Sequence, residues 1–183
     1  MSEEMIIRHC SPTLAGIKTG NMFTYPYRSV QEMRADIRSW NRLLSSKGLC
    51  VLPLKYNGRS ALVYFYRPAM LSRDLKDKAA SKILHGCGYG SQSPGRCIAQ
   101  LSKRMADGGE FPHEVGLFLG YPPEDVKGFI ENKSSCFKCV GCWKVYGDEE
   151  RAKKIFSKYK KCTQLYSRLY ANGKGIERLT VAG

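Results

Sequence analysis

Between Asp148 and Asn172, apolar residues recur at helical spacing: Ala152, Ile155, Phe156, Tyr159, Cys162, Leu165, Tyr166 and Leu169. This period predicts one long amphipathic helix from Glu149 to about Ala171. Asp148 supplies its N-cap and Asn172-Gly173 its stop. Glu149 and Glu150 begin the helix and basic residues follow, an order that suits the helix dipole. The side left over carries Arg151, Lys153, Lys154, Lys158, Lys160, Lys161 and Arg168. A chain with such an element must offer a core to one side of it and leave a cationic flank on the other.

That flank dominates the charge balance. Thirty Lys and Arg stand against sixteen Asp and Glu, a formal net charge of +14. A surplus of this size favours an anionic partner: an acidic protein, a nucleic acid or an anionic membrane surface. The 183 residues suit one domain that buries its core without disulfide staples. No apolar run approaches the ~20 residues that cross a bilayer. MSEEMIIRHC is too acidic, and its apolar run too short, for a secretory signal. The expected location is the cytoplasm, where the eight cysteines stay reduced. Oligomeric state is left open.

Earlier in the chain, Met5–His9 reads as a short edge strand. Ser11-Pro12 reads as the start of a short helix ended by Gly20. Val30, Met33, Ile37, Trp40 and Leu44 mark a helix over 29–46, with Ser29 and Glu32 as a capping box. Arg34, Arg38 and Arg42 form a basic stripe on it. Leu49–Leu54 and Ala61–Tyr66 read as two strands of a hairpin about Asn57-Gly58, a type I′ signal, with Pro53 marking an edge. Aromatics in the return strand, beside Arg59 and Arg67, are candidates for base stacking. A helix is expected over 72–84, then a glycine-rich loop, His85–Gly90, as a flexible turn or lid. That loop follows a helix and lacks the P-loop Lys-Ser/Thr ending. Ser93-Pro94 opens another helix that presents Ile98, Leu101 and Met105 inward.

The stretch from Phe111 to Cys142 concentrates the candidate chemistry. Phe111–Leu119 reads as a short buried helix, closed by Gly120. Another opens at Pro122-Pro123, with Glu124 and Asp125 in its first turn. His113-Glu114 does not complete HExxH, since position 117 is Leu, so a zincin site is not supported. The pair remains a candidate general base. His9 and Cys10, read as lying just before a helix N-terminus, are a second candidate catalytic pair, because that field lowers a thiol's pKa. Cys136, Cys139 and Cys142 follow C-x2-C-x2-C spacing. Two readings stand for them. With Cys162 as a fourth ligand they hold an iron–sulfur cluster or zinc. On a strand leading into Trp143–Tyr146 they face opposite sides and cannot converge.

The blocks HCSPTLAGIKTGNMF, YFYRP, FPHEVGLFLGYPPEDVKGFIENK and WKVYGDEE resemble an uncharacterised bacterial family, domain-of-unknown-function family 3793. That family is found mainly in anaerobic Gram-positive species. The resemblance runs through nearly the whole chain. It implies a single-domain cytoplasmic protein associated with flavodoxins and iron acquisition, and it carries over no activity, cofactor or catalytic residue.

These readings combine into one α+β domain. A small antiparallel sheet, built on the Leu49–Tyr66 hairpin with Trp143–Tyr146, is expected to pack on about six helices, with a loose tail over 173–183. The expected function is a basic accessory protein in anaerobic redox or iron metabolism that docks an acidic protein such as a flavodoxin. The alternatives are a nucleic-acid-binding protein and an enzyme using Cys10 or His113-Glu114.

Overall fold

The structure is a computed structural model and describes residues 1–91, 93–133 and 135–183. Three antiparallel strands, β1 (Gly20–Pro26), β2 (Cys50–Asn57) and β3 (Ser60–Tyr66), form the central sheet in the order β1-β3-β2. The expected hairpin is its backbone. Asn57 pairs with Ser60, so Gly58 and Arg59 make the turn. Of those two, only Gly58 has positive φ (60°), the II′ pattern in place of I′. The register shifts between Pro53 and Lys55. Proline cannot donate to the ladder, and β2 accommodates it as an irregularity at the sheet edge.

The third strand is not the expected one. Trp143–Tyr146 does not join the hairpin. Instead β4 (Cys139–Val140) and β5 (Lys144–Val145) pair in a separate two-stranded sheet. The place beside β3 goes to β1, where a Cβ on Gly20 would lie 2.5 Å from the Tyr64 ring. Only glycine admits that approach.

The N-terminal reading is also corrected. Met5–His9 is not a strand but part of α1 (Glu3–Leu14). Ser2 accepts from Met5 N at 3.3 Å, and Glu3 and Glu4 fill the first turn. Ile6, Ile7, Cys10 and Leu14 are buried at helical spacing. The start signal at Ser2 outcompetes the one at Ser11-Pro12, and Pro12 lies within the helix.

The second helix, α2 (Val30–Leu44), is capped by Ser29, which accepts from Glu32 N at 3.1 Å. The single helix expected over 72–84 is two, α3 (Pro68–Leu75) and α4 (Lys78–Gly86). Asp77 divides them by accepting from Ala79 N (2.9 Å) and Ala80 N (3.1 Å), a cap that starts a new helix. Next come α5 (Pro94–Ala106), α6 (Val115–Phe118), α7 (Pro123–Asn132), α8 (Glu149–Ala171) and α9 (Ile176–Leu179). Asp148 caps α8 through Arg151 N at 3.0 Å. Among the described residues none of these helices is long and apolar enough to cross a membrane.

The sheet divides two cores. Ala61, Val63 and Phe65 of β3 face Ile6, Met33, Leu44, Tyr166 and Ile176, from α1, α2, α8 and α9. Tyr64 faces the opposite core with Leu71, Leu84, Leu101, Phe118 and Val126, from α3 to α7. The period-two alternation of one strand therefore feeds two helical layers. A third, smaller cluster joins Trp143 and Val145 to Ala152 of α8.

Two buried charges fasten the ends of this assembly. Arg67 donates to Thr13 O (2.7 Å) and Leu14 O (2.8 Å) at the end of α1, to Val181 O (2.7 Å), and to Lys47 O (3.3 Å). With Ile176 and Leu179 buried, the tail expected to be loose is packed. Asp125, in the first turn of α7, accepts from Trp143 Nε1 (2.7 Å), Tyr146 N (2.7 Å) and Gly147 N (2.8 Å). Asp125→Ala strands three donors in the interior. Its expected cost is about 3 kcal/mol or more, read as a lower urea midpoint at unchanged slope.

Candidate functional site

Residues 15–19 connect α1 to β1, and α1 packs along α8. Lys18 projects from this connection into the interior and is only 5% exposed. Its ammonium donates to Gly20 O and lies 5.3 Å from the centre of the Tyr121 ring. Among the described residues no carboxylate pairs with it.

Two open cavities meet at this lysine. One, of about 450 Å³, lies toward α1 and α8 and is bordered by His9, Lys18, Asn21, Tyr121, Cys142 and Tyr159. The other, of about 290 Å³, lies toward α3 and shares Lys18, Tyr121 and Tyr159 with the first. A third, of about 330 Å³ and largely apolar, is bordered by Phe111, His113, Phe129 and Trp143, and again by Tyr121 and Cys142. Tyr121 is the wall common to all three.

Local chemistry fixes that wall. Tyr121 stacks on Trp143 with ring centres 4.7 Å apart, and its hydroxyl donates to Cys142 O at 3.2 Å. Trp143 is held in turn by Asp125. On the opposite side Thr13 Oγ1 donates to Asn21 Oδ1 at 2.7 Å, and the His9 ring stacks on Phe23 at 4.9 Å. Burial lowers the Lys18 pKa from 10.5 to about 8, opposed by the Cys10 and Cys142 thiols. Burial raises Cys142, opposed by the Lys18 charge. Tyr121 is pushed up to about 12, chiefly by burial. Burial, with help from Arg8, holds His9 below its usual value. Near neutral pH Lys18 is charged while the neighbouring Cys142, Tyr121 and Tyr159 are neutral; Lys160 is a second cation on the larger cavity, and Arg73, Asp74, Asp77 and Arg151 line the smaller one.

The candidate catalytic residues do not line a common cavity. His9 borders the cleft beside α1. Cys10 is fully buried inside α1's core face, and burial drives its thiol strongly up. It follows the first turns of α1, so the helix-start field expected to activate it is absent. His113 sits 3.4 Å from Glu110 and edge-on to Phe129. Glu114 is buried, ion-paired with Arg104 (Nε at 2.8 Å) and accepting from the Tyr89 hydroxyl (3.0 Å). That arrangement is structural. With Gln100 Nε2 on Gly88 O (2.8 Å) and Arg104 Nη1 on Cys87 O (3.1 Å), it fastens the glycine-rich loop expected to act as a lid.

The candidate metal ligands are also dispersed. Cys136 is exposed with positive φ (58°), before the β4–β5 hairpin. Cys139 packs toward Trp143, Cys142 borders the Lys18 cleft, and Cys162 packs against the α1–α2 core. All eight cysteines are free. Among the described residues no three His, Cys, Asp or Glu side chains are grouped to hold a metal ion. Cys136 precedes the hairpin, Cys139 lies on β4 and Cys142 in the turn between β4 and β5, so the close sequence spacing does not gather the three thiols.

The cationic flank is gathered. Arg151, Lys153, Lys154, Lys158, Lys160, Lys161 and Arg168 are all exposed on α8. Lys153 pairs with Glu149 at 2.7 Å; the other six have no ion pair among the described residues. Arg151, Lys154, Lys158, Lys161 and Arg168 follow alternating spacings of three and four, with the exposed Leu165 between the last two. They make a continuous stripe about 25 Å long. Lys18, Tyr121 and Asn21 carry no such signature, because a lone loop lysine becomes a site residue only through burial.

Fold and site together define a small α+β protein with a cationic helix flank and an aromatic cleft floored by a buried lysine. The chain belongs to the family described as protein of unknown function (DUF3793), which matches residues 6–180. No curated protein and no solved structure matches it.

The depressed Lys18 pKa makes a stability prediction. Between pH ~8 and ~10.5 the unfolded chain keeps a proton that the folded chain has released, so through this group stability rises with pH over that window. Below it, the buried charge costs up to about 3 kcal/mol. Lys18→Met is therefore expected to melt at or above the wild-type temperature at pH 7, with the difference shrinking as pH approaches 10. Paired calorimetric melts check this.

Proposed function

We propose that this protein is a docking or accessory protein whose α8 flank recruits an acidic protein. The observation that carries this reading is the stripe from Arg151 to Arg168: aligned cations, exposed and almost wholly without intramolecular counter-charges. Uncompensated surface charges of one sign steer an oppositely charged surface into register and speed association. Leu165, 53% exposed within the stripe, adds an apolar contact of the kind protein interfaces use at their centre. An acidic flavodoxin is the first partner to test, with redox or iron metabolism as the setting that the family resemblance implies.

Nucleic-acid binding is the second reading, and the hairpin offers it little support. Single-strand binders stack bases on exposed aromatics. Here Tyr64 and Phe65 are buried, and Arg67 is committed to backbone carbonyls.

The test titrates wild-type protein and the triple variant Lys158→Glu, Lys161→Glu, Arg168→Glu with an acidic flavodoxin and with a short DNA duplex over a salt series. The expected result is salt-sensitive flavodoxin binding that the variant weakens at least about tenfold, mainly through slower association. Tight duplex binding with no flavodoxin contact would reverse the order of the two readings.

A further inference from the structure

We propose that the cleft floored by Lys18 binds a small anionic ligand, a flat apolar ring carrying a carboxylate or phosphate group. The argument begins with an imbalance. Taking an ammonium out of water costs several kcal/mol unless a counter-charge meets it. Among the described residues Lys18 is met by a backbone carbonyl and the face of Tyr121. The thiols of Cys10 and Cys142 and the phenols of Tyr121 and Tyr159 around it are kept protonated by burial; Asp74 and Asp77 line the smaller cavity, where Asp74 is engaged by Arg73 and by the Thr19 hydroxyl. Among the described residues no carboxylate forms an ion pair with the cation buried here.

The geometry shows where the anion would sit. Lys18 borders two open cavities that meet at its side chain. In the larger, Asn21 stands beside it. Thr13 occupies the Asn21 carbonyl oxygen, and the Asn21 Nδ2 donor has no partner among the described residues. Lys18 and Asn21 both border the cleft, and each brings a side-chain N–H donor to its lining. Its walls are Tyr121, Phe156 and Tyr159, and the exposed Lys160 stands at its rim. Apolar walls with a few placed polar groups are the usual make-up of a small-molecule site, and about 450 Å³ falls within the usual range of about 300–1,000 Å³. The two donors belong to the connection from α1 and to β1, while α8 supplies the walls Phe156 and Tyr159 and the rim residue Lys160, so the cleft adjoins the cationic flank and its donors lie outside it.

Calorimetric titration of the full chain at pH 7 tests the proposal, with phenyl phosphate, benzoate and neutral benzamide as probes. Wild-type protein is expected to bind at least one of the two anions and to bind benzamide much more weakly. Whichever anion binds tighter assigns the head group. Lys18→Met is expected to lose at least about tenfold in affinity while staying folded, and Arg38→Glu on α2 to bind as wild type does. A measurement free of substitution accompanies it: the bound anion should slow reductive methylation of Lys18, followed by mass spectrometry, and leave Lys82 unaffected. The proposal is overturned if neither anion binds, or if benzamide binds equally well. Unchanged affinity in Lys18→Met, an equal loss in Arg38→Glu, or absence of protection at Lys18 would overturn it too.

Discussion

The position of Arg67 governs much of what surrounds it. It follows β3 directly and is 3% exposed, its guanidinium facing carbonyls, with no carboxylate partner among the described residues. Two of those carbonyls end α1, where the helix dipole supplies partial negative charge, so a buried cation is tolerable there. The same group reaches Val181 and Lys47. One side chain thereby fixes the end of α1 against the sheet, the tail and the turn after α2. Everything downstream of α1 inherits that placement. The connection carrying Lys18 leaves from the fastened end, and α8 lies along the helix so fastened.

Asp125 does comparable work on the other side. Three donors converge on it from the segment Trp143–Gly147, which ties the β4–β5 hairpin to α7. Trp143, so held, stacks on Tyr121, and Tyr121 forms the wall shared by the three cavities. Close packing completes the arrangement: a Cβ on Gly128 would lie 2.4 Å from the Tyr146 ring, and one on Gly141 2.2 Å from the Phe156 ring. The cysteines are carried along by this scaffold. Cys136 precedes the β4–β5 hairpin, Cys139 lies on β4 and Cys142 in the turn, and Cys142 alone of the three borders the Lys18 cleft.

Strong local signals were readable in the chain and weak ones were not. The α8 period, the Ser29 cap of α2, the Pro94 start of α5 and the Leu49–Tyr66 hairpin each combine a period with a cap or turn residue, and each appears where those signals put it. The α1 segment failed because two start signals competed, and burial of Ile6, Ile7 and Cys10 favours the earlier one. The strand β1 was invisible for a different reason. GNMFTYP begins with glycine and ends with proline, and its pairing with β3 depends on tertiary packing against Tyr64. The site divides in the same way. The cations of α8 are legible because exposure follows from periodicity. Lys18 becomes distinctive only once Tyr121, distant in sequence, closes over it.

The two proposed surfaces use charge in opposite ways. On α8 the cations are solvated, individually weak and numerous, which suits transient, salt-sensitive contact. At Lys18 a single cation is desolvated, which suits selection of one small anion. The central claim concerns the first surface, and the most direct measurement is a residue-by-residue footprint. Isotope-labelled protein titrated with an acidic flavodoxin in an NMR experiment should show shifts concentrated at Arg151, Lys154, Lys158, Lys161, Leu165 and Arg168. Shifts centred on Arg34, Arg38 and Arg42 of α2, or spread evenly over the surface, would contradict the account.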